Sequence, residues 1–427
     1  ASCGGEIRDA YDFIGRETEN GYGYVLGFRK GKEDPLKDLS IYSIDDVIEA
    51  EKWNEDESIF EKKWTKVLVV GDKKELDFVE NYLKESHNRI AAKCKYYGIC
   101  GGCQLEHMKI EDENQYKKRK VEDILEKFAS QKIKIAKINY GREYNYRNKI
   151  TLHVQEGKLC LLKEDSNDYV EIDKCLLADE KINVVISKLK ALVTLEKGIR
   201  TIMIRIGNYT DQIMIDISGQ VNNENVFLPL ADSVIINNKS IKNNEITSTI
   251  LDYKYYVSNK SFFQVNKEVV EMLYSKIISV VKDKKAKKVL DLYCGVGTIS
   301  LSISKYVNSV IGVEVVEDAI KNANKNKELN KIKNVDFICG KAEDIITRQK
   351  FDCDTIIVDP PRKGIDKRAI DVLNNSSAKN IIYVSCDPIT LARDINRLNN
   401  YEVMEVELFN MFPRTYHVEC VAVLKLK

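Results

Sequence analysis

Asp291-Leu292-Tyr293-Cys294-Gly295-Val296-Gly297-Thr298 is the stretch on which the fold turns. It closes a strand-like apolar run and opens a helical one. Two glycines let the backbone approach a ligand closely, and the helix that follows points its first amides at that ligand. Twenty-three residues after Asp291, Glu314 ends the next strand-like run, in Gly312-Val313-Glu314. An acidic side chain there suits two ribose hydroxyls. The pattern continues outward. Residues 288–294, 310–315, 335–339, 355–359, 381–386, 402–408 and 418–424 read as strands, with helical stretches between the first six and none between the last two. This predicts a doubly wound α/β domain over 266–427 with an antiparallel edge pair.

Upstream the rhythm differs. Residues 146–265 alternate strand-like runs with one helix near 182–195, which predicts an α+β central domain over 91–265. Residues 113–128 form an amphipathic pattern, with Val121, Ile124, Leu125 and Phe128 on one face. Lys117-Lys118-Arg119-Lys120 crowd the other face and read as solvated. Residues 1–90 hold three strand-like runs and a Gly21-Tyr22-Gly23 turn, the pattern of a small β-rich domain. That segment carries 14 Lys+Arg against 21 Asp+Glu, whereas the remainder carries 53 against 45. A phosphate-binding surface is therefore expected mostly beyond residue 90.

With 31% charged and 44% hydrophobic residues the composition is that of an ordinary soluble protein. Aliphatic runs such as Val67-Leu68-Val69-Val70 are far too short to span a bilayer. No charged-then-apolar leader opens the chain, so a cytoplasmic monomer is expected. Eleven cysteines, an odd number, then read as metal ligands and catalytic or core thiols rather than disulfides.

Three segments follow strand-like runs behind the glycine loop: Asp359-Pro360-Pro361-Arg362-Lys363-Gly364, Tyr383-Val384-Ser385-Cys386-Asp387-Pro388 and Phe412-Pro413-Arg414-Thr415-Tyr416-His417-Val418-Glu419. Four of the six prolines lie in these loops, stiffening them. A thiol, an aspartate and a glutamate so placed suit covalent attack on an electron-poor ring, then alkylation and proton removal. Taken singly, Cys386 reads as a buried cysteine and Glu419 as a strand-edge acid; the combination carries the assignment.

The glycine loop lacks the third glycine of the dinucleotide pattern and resembles motif I of class I S-adenosylmethionine-dependent methyltransferases. The three loops, together with Ser261-Phe262-Phe263-Gln264-Val265-Asn266 and Tyr146-Arg147-Asn148-Lys149, resemble the RNA uracil-C5 methyltransferases of the TrmA/RumA type, from about residue 90 to the C-terminus. The resemblance implies a Rossmann-like methyltransferase domain, Cys386 as nucleophile and Glu419 as base. It further implies that Gln264, Tyr293, Glu314 and Asp359 contact S-adenosylmethionine, with Thr298 joining them at the loop's end. His417 is either structural or near the site. Asp387, Asn410 and Arg414 depart from the commoner residues of that family.

Cys94, Cys100 and Cys103 lie close together around Gly101-Gly102, and Cys175 follows 72 residues after Cys103. Spacing alone admits a Cys₄ zinc site or an iron–sulfur cluster; the resemblance implies a [4Fe–4S] cluster of structural role. Cys3, Cys160, Cys294, Cys339, Cys353 and Cys420 are expected to be core or incidental thiols. The implied substrate is RNA, 23S ribosomal RNA foremost and the tRNA T loop as the alternative. A target base must leave its stack to reach Cys386, and Tyr146, Arg147, Phe263 and Arg362 are candidates to hold bases. Relatives usually begin with a TRAM barrel, which residues 15–70 could form, although the acidic balance there opposes phosphate binding. The rival from another class is a noncatalytic iron–sulfur RNA-binding protein on a methyltransferase fold, which predicts loss of Cys386 or Glu419.

Overall fold

The computed structural model describes residues 89–129 and 133–427. The β-rich domain and TRAM barrel expected before residue 90, and Cys3, lie outside the described residues. The chain divides into two compact units, one of Ala1–Ala91 with His107–Asp112, the other of Ala92–Glu106 with Glu113–Lys427. Among the described residues of the first unit, Ile90 N–H donates to His107 O at 2.8 Å. Everything below concerns the second, apart from the opening residues of its first helix.

In chain order the elements are α1 (Ile110–Phe128), β1 (Ile135–Asn139), β2 (Lys149–Gln155), β3 (Lys158–Leu162), β4 (Tyr169–Glu171), α2 (Glu180–Leu195), β5 (Ile199–Ile206), β6 (Ile213–Gly219), β7 (Ser233–Ile236), β8 (Lys239–Lys242), β9 (Glu245–Ile250) and β10 (Tyr253–Ser258). Then follow α3 (Lys267–Asp283), β11 (Lys288–Leu292), α4 (Thr298–Ile303), β12 (Ser309–Glu314), α5 (Glu317–Leu329), β13 (Val335–Cys339), α6 (Ala342–Arg348), β14 (Thr355–Val358), α7 (Lys367–Asn374), β15 (Asn380–Ser385), α8 (Pro388–Arg397), β16 (Tyr401–Phe409) and β17 (Glu419–Leu426).

Two large sheets organise them, and β9 and β10 pair antiparallel as a separate two-stranded sheet. The larger has eight strands in the order β1-β16-β17-β15-β14-β11-β12-β13. Its central strands are buried on both faces, as the unbroken apolar runs require: all four residues of β14 and all six of β15 are buried. Alternate residues serve different cores. Val289, Ile357, Ile382 and Val384 pack on one face with α3, while Leu290, Ile356, Ile381 and Tyr383 pack on the other with α7 and α8. The second sheet, β4-β3-β2-β5-β6-β7-β8, is antiparallel except between β6 and β7 and closes its own core against α2.

Strand order explains the location of the site. β11 pairs in parallel with β12 on one side and β14 on the other, so the chain's winding reverses between β11 and β14 and opens a crevice at their C-terminal ends. β15 continues the parallel set, whereas β17 runs antiparallel to it, with Ser385 opposite Cys420. The beginning of β17 therefore lies at the same edge as the ends of β11, β14 and β15. The antiparallel pair expected at the C-terminus is β16–β17.

Two features depart from expectation. The strand β1 was not foreseen, and it extends the larger sheet by pairing in parallel with β16. Lys117, read as part of a solvated face, is fully buried and ion-paired with Glu113 at 2.8 Å. No described helix is long and apolar enough to cross a membrane.

Candidate active site

The loop after β11 holds an unusual backbone. Tyr293 adopts a left-handed φ of 66°, and Gly297, which caps α4, has φ 81°. A Cβ on Gly297 would sit 2.7 Å from the Phe337 ring, so glycine is required there by conformation and by space. Glu314 is fixed at the end of β12 by two backbone donors, Gly295 N at 3.1 Å and Val316 N at 2.9 Å. Its carboxylate retains further acceptor capacity toward the crevice.

The crevice is a cavity of about 1190 Å³ whose wall includes Gln264, Tyr293, Glu314, Asp359, Cys386 and Glu419. Six of the seven residues expected for catalysis and cofactor contact thus face one space. Thr298 does not line it; its hydroxyl shares a 2.7 Å hydrogen bond with Tyr274.

Each functional side chain has a local reason for its place. Cys386 leaves β15 just before α8, where the Asp387 carboxylate caps the helix by accepting from Ile389 N at 2.9 Å and Thr390 N at 3.0 Å. Pro388 follows at the first helical position. Asparagine caps helices as well as aspartate does, so this departure from the family's commoner residue keeps the same local structure. The Asp359-Pro360-Pro361-Arg362 turn is closed by Gly364 N–H donating to Pro361 O at 2.8 Å, and buried Asp394 accepts from Ile365 N at 2.7 Å.

The electrostatics are those of a thiol among carboxylates. Burial pushes the Cys386 thiol up to about 11; Glu419 and Asp359 add to the rise and Arg362 opposes it. Burial likewise pushes the Glu419 carboxyl up to about 7, again against Arg362. Asp359 lies well above the usual carboxylate range, through burial, then Glu419 and Asp291. Near neutral pH the Glu419 carboxyl is therefore able to hold or release a proton.

Of the four residues expected to hold bases, Tyr146 and Phe263 are core. The Tyr146 hydroxyl donates to Pro413 O at 3.0 Å, and Phe263 packs edge-on to Tyr255 at 5.9 Å. Arg362 lines the catalytic cavity. Phe262, not among those four, is 75% exposed on the cavity wall, next in sequence to the buried Phe263.

Cys94, Cys100, Cys103 and Cys175 line a second cavity, of about 800 Å³, together with Arg147, Tyr416 and His417. Two loops supply the thiols, and Asp173 ties them: its N–H donates to the Tyr96 hydroxyl at 2.8 Å, and its carboxylate pairs with Lys95 at 2.5 Å. Asn183 accepts from Cys175 N at 3.0 Å, and Glu106 accepts from Cys94 N at 2.8 Å. Burial raises the thiols of Cys94, Cys100 and Cys103, and each is raised further by other thiols of the set. Among the described residues no three or more His, Cys, Asp or Glu side chains are gathered closely enough to hold a metal ion as they stand. Four thiols line this one cavity, a donor set of the kind that ligates zinc or an iron–sulfur cluster. The remaining described cysteines are core or incidental: Cys160, Cys294 and Cys420 are buried, Cys353 is half-buried and Cys339 is exposed.

Three comparisons place this architecture. Residues 230–427 match the family model described as tRNA (Uracil-5-)-methyltransferase. The chain is 36% identical over 415 residues to an uncharacterized RNA methyltransferase of Clostridium acetobutylicum, covering 86% of this chain and 90% of the relative. A similarly named protein of Halalkalibacterium halodurans is 33% identical over 411 residues, covering 85% of this chain and 90% of the relative. Among solved structures, the Pyrococcus abyssi tRNA (uracil-54, C5)-methyltransferase in complex with S-adenosyl-L-homocysteine superposes with a TM-score of 0.69 at 26% identity, covering 81% of this chain and 88% of that one.

Proposed function

The chain belongs to the S-adenosylmethionine-dependent RNA (uracil-5-)-methyltransferases of the TrmA/RumA type, and from that premise we propose that Cys386 and Glu419 methylate uridine C5 through a covalent adduct, with 23S ribosomal RNA as substrate. The observation that carries this reading is the sharing of one cavity by Cys386, Glu419 and the glycine loop with Glu314.

Uracil C5 is a poor nucleophile until a thiolate adds to C6. Cys386 forms that S–C6 bond, and the electron pair of C5=C6 moves toward O4 as an enolate. Arg362, which opposes the rise of the Cys386 pKa, favours the thiolate needed for attack. Bound S-adenosylmethionine supplies an electrophilic methyl group, which C5 takes. Glu419 then accepts the C5 proton, the C5=C6 bond re-forms and the Cys386 thiolate leaves. A carboxyl poised near 7 suits that proton transfer. Gln264, Tyr293, Glu314 and Asp359 orient the donor from the cavity wall, and Phe262 offers a face for the extruded base.

Residues 91–265 and 266–427 serve in this reading as a cluster-bearing and RNA-binding part and the methyl-transferring part. Cys94, Cys100, Cys103 and Cys175 would hold a [4Fe–4S] cluster whose chemistry is structural, fastening two loops. The four-cysteine set supports ribosomal RNA. A second reading, the T loop of tRNA, is supported by the likeness to an enzyme that acts on tRNA uracil-54. Retention of both Cys386 and Glu419 opposes a noncatalytic binding protein.

RNA carrying 5-fluorouridine should trap a denaturation-stable adduct at Cys386, because fluorine at C5 blocks the final elimination. Methylation by a Cys386→Ala protein would overturn the mechanism. Mapping 5-methyluridine in ribosomal and transfer RNA from cells lacking the protein decides the substrate: loss from 23S RNA is expected, and loss from tRNA alone would replace it.

A further inference from the structure

The nine residues between β16 and β17, 410–418, lead directly into Glu419, whose ladder partner is Phe409. This connection has few bonds of its own: Thr415 N–H reaches Phe412 O at 3.2 Å, and Met411 N–H reaches Phe409 O at 2.8 Å. It is held mainly from outside, and α1 supplies the central grip. Glu113, fully buried, accepts from Arg414 N through both carboxylate oxygens at 3.0 Å and from Asn410 Nδ2 at 2.9 Å. Lys117, one helical turn on, donates to Glu113 at 2.8 Å, to Asn410 Oδ1 at 2.7 Å and to Phe412 O at 3.1 Å.

Arg414 is the node of this network. It is 1% exposed yet charged, pairs with Glu113 and Glu143, and has a left-handed φ of 71°. A non-glycine residue keeps that conformation only where its surroundings over-determine it. Its carbonyl accepts from Gln104 N at 2.8 Å and Leu105 N at 3.0 Å, the residues just after Cys103. Two acids face two bases, and Asn410, where relatives often carry aspartate, leaves that balance intact.

We propose that Glu113, acting through Arg414 and Lys117, is a positioning residue for Glu419: it fixes the loop that sets the angle at which the carboxylate enters the cavity. The proposal rests on Glu419 being the base that removes the C5 proton. A misplacement of about 1 Å is enough to cost roughly 10²-fold in rate. Its signature is specific, because thiolate addition and methyl transfer precede the step that needs Glu419. A mispositioned base therefore lets a methylated, C6-linked RNA–protein adduct accumulate on ordinary uridine, whereas general loss of structure lowers adduct formation.

The test compares wild type, Glu419→Gln, Glu113→Gln, Glu113→Asp and Arg414→Lys on unmodified substrate RNA, reading turnover, denaturation-stable adduct and melting temperature. Glu113→Gln should lose at least about tenfold in turnover while adduct builds up as in Glu419→Gln, with the KM for S-adenosylmethionine nearly unchanged. Glu113→Asp should recover part of the rate. If Glu113→Gln does not fold, Glu113→Asp and Arg414→Lys decide by the same adduct reading, each milder. Folded variants that are slow without adduct, or that turn over normally, overturn the proposal. Absence of adduct in Glu419→Gln itself would instead remove Glu419 as the base, and the positioning proposal with it.

Discussion

Cys386 and Cys103 are both pushed above the ordinary thiol range by burial, yet their neighbours differ in kind. Around Cys386 the largest added influences are Glu419 and Asp359, with Arg362 opposing. Around Cys103 they are Cys175, Glu106, Cys100 and Cys94. The first thiol has a cationic side chain at hand, as the proposed attack on a ring would need. In the second set the thiols raise one another, with Arg147 opposing only at Cys100. A raised thiol is thus no diagnosis in itself; what surrounds it distinguishes a nucleophile from a ligand.

The largest break of this contrast is Glu419→Gln, expected to slow turnover by roughly 10³-fold. Because the Glu419 carboxyl stands near 7, wild-type turnover should rise through neutrality as it ionises. The same shift bears on stability with the opposite sense. A folded-state value near 7 against an unfolded value near 4.3 means that stability is fully present below about pH 4 and is lost as pH rises through 7. Glu419→Gln should therefore unfold less readily than wild type at pH 8, by up to roughly 4 kcal/mol, with the advantage closing toward pH 4. Denaturant titrations at the two pH values check this, and an equal difference at both would remove the carboxyl as its source.

Cys103→Ser tests the other side and should have a smaller catalytic effect. Anaerobically purified wild type is expected to be brown with about four irons per chain, and the variant to lose iron and melt at lower temperature. Methyl transfer should fall much less than in Glu419→Gln, because the Arg414 carbonyl bonds to Gln104 and Leu105 join the two loops through backbone atoms rather than through the Cys103 thiol. A colourless wild-type protein containing zinc would overturn the cluster.

The two regions were unequally legible in the sequence. Around Cys386 the apolar runs and loop motifs mark strand ends, and parallel strands buried on both faces deliver those ends to one edge. The edge strand β1 gave no such signal, since its burial does not alternate and its partner lies about 270 residues onward. Lys117 also misled: four-residue spacing puts it on the face of Val121 and Leu125, but it reads with its basic neighbours Lys118-Arg119-Lys120 as solvated, and the loop that covers it comes from residues 410–414. Thr298 was assigned by its place at the loop's end, and only the fold shows Tyr274 engaging its hydroxyl. The missed features, β1 and the burial of Lys117, both depend on a partner distant in the chain.

The mildest way to sharpen the contrast is to alter the wall of the catalytic cavity and leave its thiol alone. Phe262 and Phe263 are adjacent and chemically identical, but strand-like alternation sends Phe263 into the core against Tyr255 and leaves Phe262 75% exposed. An exposed ring on the cavity wall would stabilise a stacked base by about 1–3 kcal/mol. Phe262→Ala should accordingly raise the KM for RNA roughly tenfold, with kcat and melting temperature little changed. Phe263→Ala should do the reverse, costing about 3–5 kcal/mol of stability through the cavity it leaves. If Phe262→Ala lowers stability and leaves the RNA KM untouched, the exposed ring is a packing element of the cavity mouth and the base is held elsewhere.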